Sequence, residues 1–248
     1  MNKCAVILAA GEGKRMKSNM PKPMSEVLSK PMLRWVIDAV KGAGVDNICI
    51  VTGYKKECIE DYIEKEKINA VTVYQKERLG TGHAVMMAKN FLEEQKGDVV
   101  ILCGDAPFMD KDTIKDAYAA HKEGKCSATV ISAMLSDPTG YGRILRNSDG
   151  NLEKIVEQKD ADEKTLLIKE VNSGGYWFDS LELLSVLGDI KAENSAKEYY
   201  LPDALKLLTA NGKNVAVFTA KSSDTVLGAN DPKQLEELNA IAIKKGYK

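Results

Sequence analysis

The sequence predicts an α/β fold with a mostly parallel, mixed sheet, and three observations support this prediction. Short apolar runs alternate with segments of helical spacing through the first half of the chain. The 248 residues, 44% of them hydrophobic and 29% charged, suffice for one large α/β domain. In the second half the alternation gives way to a hairpin signal, Asp149-Gly150. We therefore expect a sheet with helices on both faces and a small β-hairpin subdomain.

The first half of the chain is predicted to alternate strands with helices. Its apolar runs predict strands at residues 5–8, 47–51, 70–74, 99–103 and 128–133. Helices are predicted at residues 32–40 and about 55–65, with others that begin near Thr81 and at Asp112. Repeated βα units bring the carboxyl ends of parallel strands to one edge, where ligands bind in open sheets.

The second half is predicted to form the hairpin subdomain and to complete the sheet. Its apolar runs predict strands at residues 142–146, 152–156, 175–178 and 215–219. Helices are predicted at about residues 181–187, 200–210 and 231–246. No linker-like stretch divides the chain, so we expect one domain over residues 1–248, with the hairpin subdomain at about 137–178.

Composition and charge exclude several functional classes. The net charge of −1 gives no basic field that would attract nucleic acid or an anionic membrane. The sequence has no apolar run of membrane-spanning length and opens without a signal-peptide pattern, which predicts a cytoplasmic protein. Its five cysteines show no C-x-x-C spacing and predict reduced thiols. Because there are only two histidines, an imidazole-based mechanism is not expected.

The loop after the first predicted strand has the composition of a phosphate-binding loop. Gly11 and Gly13 allow a sharp turn and a close approach of backbone N–H groups to a ligand. Arg15 and Lys22 supply positive charge. Met16 stands where the dinucleotide fingerprint needs its third glycine, and the P-loop spacing is missing too. The loop predicts a polyphosphate pocket; the alternative is an ordinary surface turn with solvated cations.

Further polar motifs follow the ends of other predicted strands. Gln75 follows the third strand, and its side-chain amide can both donate hydrogen bonds to a planar base and accept them from it. Gly80, just beyond Gln75, allows the backbone to approach such a base closely. Asp105 follows the fourth strand, where a carboxylate can hold Mg²⁺ from the open side of the sheet. Taken alone, Asp105 would be an ordinary turn residue.

Polar residues of the second half are suited to a sugar. Glu157 and Asn172, together with glycines such as Gly142, offer partners for hydroxyl and acetamido groups. Taken singly, the acid would be solvated and the asparagine would be a turn residue. Asn230 offers a neutral oxygen that could complete a metal site with Asp105.

The order of these motifs resembles that of the sugar-phosphate nucleotidyltransferases over nearly the whole chain. The matching motifs are L-A-A-G-x-G-x-R-M with P-K, Q-x4-G-T-G-H-A, G-D-x-P, D-P-T-G-Y-G-R-I, V-E-Q-K-D, N-x-G, E-Y-Y-L-x-D and G-x-N-D. Within that family the chain is similar to the N-terminal uridylyltransferase domains of bifunctional bacterial enzymes that make UDP-N-acetylglucosamine. The resemblance implies a Rossmann-like, three-layer nucleotidyltransferase fold.

The resemblance also implies a role for each matching residue. The catalytic residues, which would hold the triphosphate, are Arg15 and Lys22. The nucleotide would bind to Leu8, Ala9, Ala10, Gly11, Gly13, Gln75, Gly80 and Thr81. The sugar would bind to Asp105, Gly142, Glu157, Asn172 and Tyr200. Mg²⁺ would be held by Asp105 and Asn230.

The resemblance implies a Mg²⁺-dependent enzyme that joins UTP to N-acetylglucosamine 1-phosphate and releases pyrophosphate. Two alternatives stay open: the same chemistry on another base or sugar 1-phosphate, and a regulatory domain that binds a nucleotide sugar without turnover. Neither nucleic acid nor a membrane is an expected partner. The family's acetyltransferase half, which drives trimerisation, is absent from the sequence, so we expect a monomer or a weak homo-oligomer rather than a trimer.

Three departures from the family's pattern concern the sugar half of the site. Cys103 stands where an aromatic or small residue is common, and Lys197 stands where a glycine is usual. Pro202 takes the place of a threonine and therefore offers neither a hydroxyl nor a backbone N–H. We expect weakened binding of N-acetylglucosamine 1-phosphate, which Lys197 could offset with its positive charge.

Overall fold

The computed structural model describes residues 2–247 and places nine strands of this part of the chain in one sheet. These strands are β1 (Lys3–Ala9), β4 (Asn47–Thr52), β5 (Val71–Tyr74), β6 (Asp98–Cys103), β7 (Ala128–Met134), β8 (Arg143–Arg146), β9 (Leu152–Val156), β10 (Glu170–Asp179) and β11 (Val215–Thr219). Two short strands, β2 (Glu26–Val27) and β3 (Lys30–Pro31), form a separate antiparallel pair.

Helices connect most of the strands. They are α1 (Met32–Gly42), α2 (Lys56–Lys65), α3 (Thr81–Met87), α4 (Lys89–Gln95), α5 (Lys111–Glu123), α6 (Glu163–Leu166), α7 (Ser180–Leu187), α8 (Pro202–Ala210) and α9 (Pro232–Lys245). Single 3-10 turns lie at Lys14–Met16, Lys22–Met24 and Ser223–Val226. Between residues 2 and 247, no helix combines the length and the apolar character needed to span a membrane.

The main sheet runs in the order β11-β7-β10-β6-β1-β4-β5, with the hairpin β8–β9 attached to β10. Four of the six pairings along this order are parallel, and the two exceptions are the pairings of β10 with β6 and β7. The predicted mostly parallel, mixed sheet is confirmed. The reversed strand β10 starts at the edge where β7 ends, since Glu170 at its start pairs with Met134 at the end of β7.

Helices cover both faces of the sheet, as predicted. Along β1, Ala5 and Ile7 face a core shared with α1, α2 and α5, whereas Cys4 and Val6 face a core shared with α3, α4, α7 and α8. Because successive residues of a strand point to opposite faces, a continuous apolar run is what a strand with two covered faces requires. Ile7 is fully buried, and burial of a side chain of this size contributes about 1.5–3 kcal/mol.

The topology gathers the site motifs at one edge of the sheet. The carboxyl ends of β1, β5 and β6 lead into the residues around Gly11, Gln75 and Asp105. Since β10 runs the other way, its amino end reaches this same edge and brings Asn172 there. The hairpin β8–β9 pairs with that end of β10, which places Glu157 nearby.

Several element boundaries differ from the predictions for local reasons. The helix predicted to open at Asp112 begins one residue earlier, because Asp110 is its N-cap and accepts hydrogen bonds from the Asp112 and Thr113 backbone N–H groups, both at 2.9 Å. The helix predicted from Thr81 breaks at Ala88 into α3 and α4. The strand predicted at 175–178 is longer, since β10 continues past an irregularity between Asn172 and Gly175.

Candidate functional site

The glycine loop after β1 is shaped by the contact between Gly13 and Lys22. Gly13 has φ 65°, a left-handed conformation, and a Cβ at this position would lie 2.7 Å from the Lys22 Cβ. The Met16 N–H donates to the Gly13 carbonyl at 2.8 Å, and the Met16 side chain is buried. Glycine at position 13 therefore allows the segment that carries Lys22 to pack directly against the loop.

Lys22 links two residues that the sequence predicts to be metal ligands. Its Nζ donates to the Asn230 Oδ1 at 2.8 Å and forms an ion pair with Asp105. The Lys22 side chain is only 14% exposed, so its positive charge lies inside the site rather than in bulk water. The structure thus brings together one cation and two oxygen-bearing side chains from three distant parts of the chain.

The loop that carries Asn230 is fixed on both sides. A Cβ on Gly228 would lie 2.7 Å from the Asp105 carbonyl oxygen, so a glycine permits this close approach. The Asn230 N–H donates to the Gln234 Oε1 at 2.7 Å at the start of α9. Asp231 caps the same helix through the Gln234 N–H at 2.9 Å.

The far end of α9 also holds this loop. Asp224, which is buried and lies just before the loop, forms an ion pair with Lys245 and accepts a hydrogen bond from the Tyr247 hydroxyl at 2.9 Å. Both termini of α9 are therefore tied to the segment that presents Asn230.

Asp105 and Asn230 fit a bound Mg²⁺. Their oxygens both contact the Lys22 ammonium, so the pair already stabilises a positive charge. A carboxylate and an amide oxygen are hard donors, and Mg²⁺ commonly takes one or two such protein ligands together with water and phosphate oxygens. Among residues 2–247, no group of three or more His, Cys, Asp or Glu side chains is arranged to hold a metal ion. A Mg²⁺ held by these two oxygens would have its other coordination positions open to water and phosphate oxygens.

A cavity of about 260 Å³ contains most of the predicted nucleotide-binding residues. We call it the nucleotide-side cavity. The predicted residues in its wall are Leu8, Ala10, Gly11, Gln75, Gly80 and Thr81. Asp105 also lies in this wall.

Gln75 is buried and is oriented by its neighbours. Its Nε2 donates to the Gly80 carbonyl at 3.1 Å and lies 3.0 Å from the His83 Nδ1, which must accept because an amide nitrogen only donates. Within the described residues its Oε1 accepts no hydrogen bond, and this oxygen is not sealed from the cavity. The Gln75 carbonyl oxygen is thus available to a donor on a ligand.

The segment before α8 supports the loop at Gly80. Gly80 has φ 109°, and a Cβ there would lie 2.6 Å from the Tyr199 carbonyl oxygen. The Tyr199 N–H donates to the Leu79 carbonyl at 2.7 Å, and the Thr81 hydroxyl accepts from the Leu201 N–H at 3.0 Å. A larger residue at position 80 would separate these two segments.

A second cavity, of about 230 Å³, contains most of the predicted sugar-binding residues. We call it the sugar-side cavity. Its wall includes Lys22, Asp105, Gly142, Glu157, Asn172 and Asn230. Pro202, one of the departures noted in the sequence, also lies in its wall. By contrast, Lys197 is exposed and lines neither cavity; its φ of 54° is a conformation that favours glycine.

Glu157 is a carboxylate without a protein partner in the sugar-side cavity. A Cβ on Gly142 would lie 2.9 Å from its Oε1, so that glycine makes room for the carboxylate. In the part of the chain that the structure describes, the Glu157 carboxylate accepts no hydrogen bond and forms no ion pair within 4.0 Å, although the Glu157 backbone carbonyl accepts from the Asp160 N–H at 2.9 Å. Burial raises the pKa of Glu157 above its ordinary value of 4.5, and the carboxylates of Asp160 and Asp203 raise it further. The group is therefore poised to accept hydrogen bonds from a ligand.

Asn172 is held rigidly at the irregularity in β10. Its Nδ2 donates to the Tyr176 hydroxyl at 2.7 Å, and its Oδ1 accepts from the Gly174 N–H at 3.0 Å. The Asn172 N–H donates to the Gly142 carbonyl at 2.9 Å. These bonds leave the second lone pair of Oδ1 for a ligand.

Four predicted site residues lie outside both cavity walls. Ala9 is buried within β1, Gly13 packs against Lys22, and Arg15 is exposed. Tyr200 is half-buried; burial raises the pKa of its phenol to about 12, with nearby carboxylates as a further cause. The predicted ligand roles of these residues stay predictions.

Cys103 belongs to both cavity walls, whereas sequence reasoning connected it only with the sugar half of the site. Its Sγ would lie 2.8 Å from a Cβ on Gly174, and burial raises the pKa of the thiol to about 12. At neutral pH the thiol is therefore protonated and a poor nucleophile. The signal for its position was its place directly before Gly104-Asp105.

Comparison with known proteins gives the same family as the motifs. The family model described as "Nucleotidyl transferase" matches residues 4–226. "Bifunctional protein GlmU" of Clostridium botulinum (strain Loch Maree / Type A3) is 41% identical over 245 residues, which are 99% of this chain and 53% of that protein. The protein of the same name from Acetivibrio thermocellus is 44% identical over 237 residues, 96% of this chain and 51% of its own length. The chain thus spans about half the length of the curated relatives it matches.

Solved structures share the fold at lower sequence identity. UDP-glucose pyrophosphorylase complexed with UDP-glucose superposes with a TM-score of 0.80 at 20% identity, covering 99% of this chain and 100% of that one. A putative glucose-1-phosphate thymidylyltransferase from Bacillus anthracis superposes with a TM-score of 0.76 at 20% identity, covering 97% and 95% of the two chains.

Proposed function

Because the chain belongs to the nucleotidyl transferase family, we propose that it joins UTP to N-acetylglucosamine 1-phosphate and releases pyrophosphate. The observation that carries this proposal is the pair of adjoining cavities, which share Leu8, Thr81, Cys103 and Asp105. A nucleotide in one cavity and a sugar phosphate in the other would meet at this shared wall, beside Lys22.

The nucleotide-side cavity supports recognition of uracil. The free Oε1 of Gln75 can accept a hydrogen bond from the ring N–H of uracil, whereas the corresponding nitrogen of cytosine carries no hydrogen. The Gln75 amide cannot easily turn over, because its Nε2 is held by Gly80 and His83.

The sugar-side cavity supports binding of a polar ligand rich in donors. The unpartnered carboxylate of Glu157 can accept hydrogen bonds from hydroxyl groups, and the rigid Asn172 offers one further acceptor site. Pro202 and Cys103 line the same cavity without contributing a strong hydrogen-bonding group.

The reaction needs charge neutralisation and positioning rather than a general base. The phosphate oxygen of the sugar 1-phosphate is already ionised and can attack the α-phosphorus of UTP in line with the departing pyrophosphate. Among the described residues, no histidine lines either cavity, and the Cys103 thiol has a pKa of about 12. The Lys22 ammonium provides positive charge at the shared wall. Asp105 and Asn230 would hold Mg²⁺, which when bound would neutralise phosphate charge as a Lewis acid.

The proposal is tested by measuring pyrophosphate release with each nucleoside triphosphate and a panel of sugar 1-phosphates, with and without Mg²⁺. We expect the highest kcat/KM for UTP with N-acetylglucosamine 1-phosphate, and dependence on the metal. Highest efficiency with another sugar 1-phosphate would contradict the proposed substrate. Tight binding of a nucleotide sugar without any pyrophosphate release would indicate a regulatory domain instead.

A further inference from the structure

Arg78 connects the two loops that border the nucleotide-side cavity. It lies in the loop that follows β5, and its Nη2 donates to the Glu12 Oε2 at 2.9 Å in the glycine loop that follows β1. Among residues 2–247, Arg78 is the only arginine in the wall of either cavity. The Arg15 side chain, in contrast, is exposed and lies outside both walls.

The Arg78 guanidinium has unused hydrogen-bonding capacity. In the part of the chain that the structure describes, its Nε and Nη1 donate to no acceptor. The guanidinium lies 5.9 Å from the centre of the Tyr54 ring, so an aromatic side chain is close on one side. A guanidinium presents its donors in a planar fork that matches the oxygens of a phosphate group.

Glu12 is an unfavourable neighbour for a polyphosphate unless its charge is compensated. Glu12 stands between Gly11 and Gly13 in the sequence, in the loop that is predicted to bind phosphate. Arg78 compensates the Glu12 carboxylate directly, and the Lys14 Nζ is more distant at 3.9 Å. The Arg78 and Glu12 side chains are 43% and 27% exposed, and exposed ion pairs contribute little to stability. The guanidinium is therefore not locked onto the carboxylate and can turn its remaining donors toward a ligand.

We infer that Arg78 binds the phosphates of the nucleoside triphosphate and that Glu12 holds its guanidinium at the cavity before the nucleotide arrives. This inference rests on the proposed function, since it assumes a nucleoside triphosphate in the nucleotide-side cavity. On arrival of the ligand, the unused Nε and Nη1 groups of Arg78 donate to phosphate oxygens, while Nη2 keeps its hydrogen bond to Glu12 and continues to compensate that carboxylate. Only hydrogen bonds form in this step, and no covalent bond changes.

A simpler role would be that Arg78 only neutralises Glu12. The two roles differ when Glu12 is made neutral. If Arg78 touches the phosphates, its removal weakens UTP binding even in a Glu12→Gln background; if it only neutralises Glu12, its removal has no effect there. A double-mutant cycle therefore separates them.

The experiment measures the dissociation constants of UTP and of uridine, which lacks phosphates, by titration calorimetry. The proteins are the native chain, Arg78→Gln, Glu12→Gln, the double variant, and Lys76→Gln as a control that removes an exposed charge from the same loop. We expect Arg78→Gln to weaken UTP binding about tenfold, as for loss of a charge-assisted hydrogen bond, and to leave uridine binding unchanged. Glu12→Gln should tighten UTP binding, and the added loss of Arg78 should weaken it again several-fold.

Two outcomes would overturn the inference while leaving the proposed function intact. One is a UTP dissociation constant for Arg78→Gln that equals that of the native chain, or that rises no more than it does in Lys76→Gln. The other is equal UTP affinity of Glu12→Gln and the double variant. Failure of the native chain to bind UTP at all would instead overturn the proposed function together with this inference, so the native titration is done first.

Discussion

The Lys22 Nζ lies 2.8 Å from the Asn230 Oδ1, a contact between residues 208 positions apart, and the same ammonium pairs with Asp105. Lys22 thus occupies the position between the two oxygens that we propose as Mg²⁺ ligands. If the metal binds there, the ammonium must move away from these oxygens, and a phosphate would be the partner for its charge. We therefore expect the lysine and the metal to compete for the same two side chains.

The first prediction concerns Asp105. Asp105→Ala should lower the rate of pyrophosphate release roughly a thousandfold or more, because the site would lose both a Mg²⁺ ligand and the charge that orients Lys22. The variant should still fold, because Asn230 continues to accept from the Lys22 ammonium and the Asp105 carboxylate is partly exposed. Asp149→Ala, which removes an exposed carboxylate of the hairpin turn, is the control. A folded Asp105→Ala variant with near-native turnover would exclude Asp105 as a metal ligand.

The second prediction follows from the competition between Lys22 and the metal. Lys22→Ala should bind Mn²⁺, as a magnetic substitute for Mg²⁺, more tightly than the native chain does, because the ammonium no longer occupies the oxygens of Asp105 and Asn230. The same variant should turn over more slowly, since it lacks a positive charge beside the phosphates. Electron paramagnetic resonance reports the free Mn²⁺. Weaker metal binding by Lys22→Ala would show that the lysine assists the metal instead of competing with it.

The third prediction concerns the base. UTP should be used better than CTP by a clear margin, because a mismatched hydrogen-bonding edge leaves buried polar groups unpaired at about 1–3 kcal/mol each. Gln75→Ala should narrow the ratio of the two kcat/KM values. Equal use of UTP and CTP by the native chain would refute uracil recognition by Gln75.

The fourth prediction concerns Pro202 in the wall of the sugar-side cavity. Pro202→Thr and Pro202→Val have side chains of nearly the same shape, so their difference isolates the hydroxyl. The KM for N-acetylglucosamine 1-phosphate should be roughly 2–10-fold lower for Pro202→Thr than for Pro202→Val. This ratio corresponds to about 0.5–1.5 kcal/mol for the hydrogen bond of the hydroxyl. If Pro202→Thr instead lowers kcat/KM with every sugar 1-phosphate tested, the prediction is wrong. The cavity would then be adapted to another sugar 1-phosphate, with proline at this position.

The fifth prediction is a trade-off between stability and binding at Glu157. Because the pKa of Glu157 is raised in the folded chain, its ionised form is disfavoured by folding, and this cost is present at neutral pH. Glu157→Gln should therefore raise the free energy of unfolding at pH 7 while increasing the KM for the sugar phosphate. The stability difference should vanish as the pH falls through the raised pKa and then through the ordinary value of 4.5. Urea titrations at pH 4 and pH 7 check the stability difference, and initial rates at varied sugar phosphate check the KM. Equal stability of the two proteins at pH 7 would contradict the prediction.

Much of the fold could be predicted from the sequence because local signals and the tertiary structure agree. The buried run of β1 and the helix from Met32 are examples, and the family that the motifs indicate is confirmed. The reversed direction of β10 could not be predicted, since it depends on which neighbours the strand pairs with after the hairpin.

The candidate site was predictable to a similar extent. Gln75, Asp105, Glu157 and Asn172 meet at the cavities because each follows or begins a strand at the same edge of the sheet. The outward position of Arg15 was not predictable, because it depends on the left-handed turn at Gly13 and the packing of Lys22 against it. The place of Cys103 in the shared wall of the two cavities depends on side-chain packing across strands. Local sequence patterns do not predict such packing.

The shared wall of the two cavities has a consequence for inhibition. A molecule that fills both cavities loses its translational and rotational freedom once, whereas two separate ligands lose it twice. The product of the proposed reaction is such a molecule, so it should compete with each of the two substrates rather than with one of them. A synthetic compound that tethers a uracil-like ring to a polar ring through a short anionic linker should likewise bind far more tightly than either half, and Leu8, Thr81, Cys103 and Asp105 would set the length of that linker.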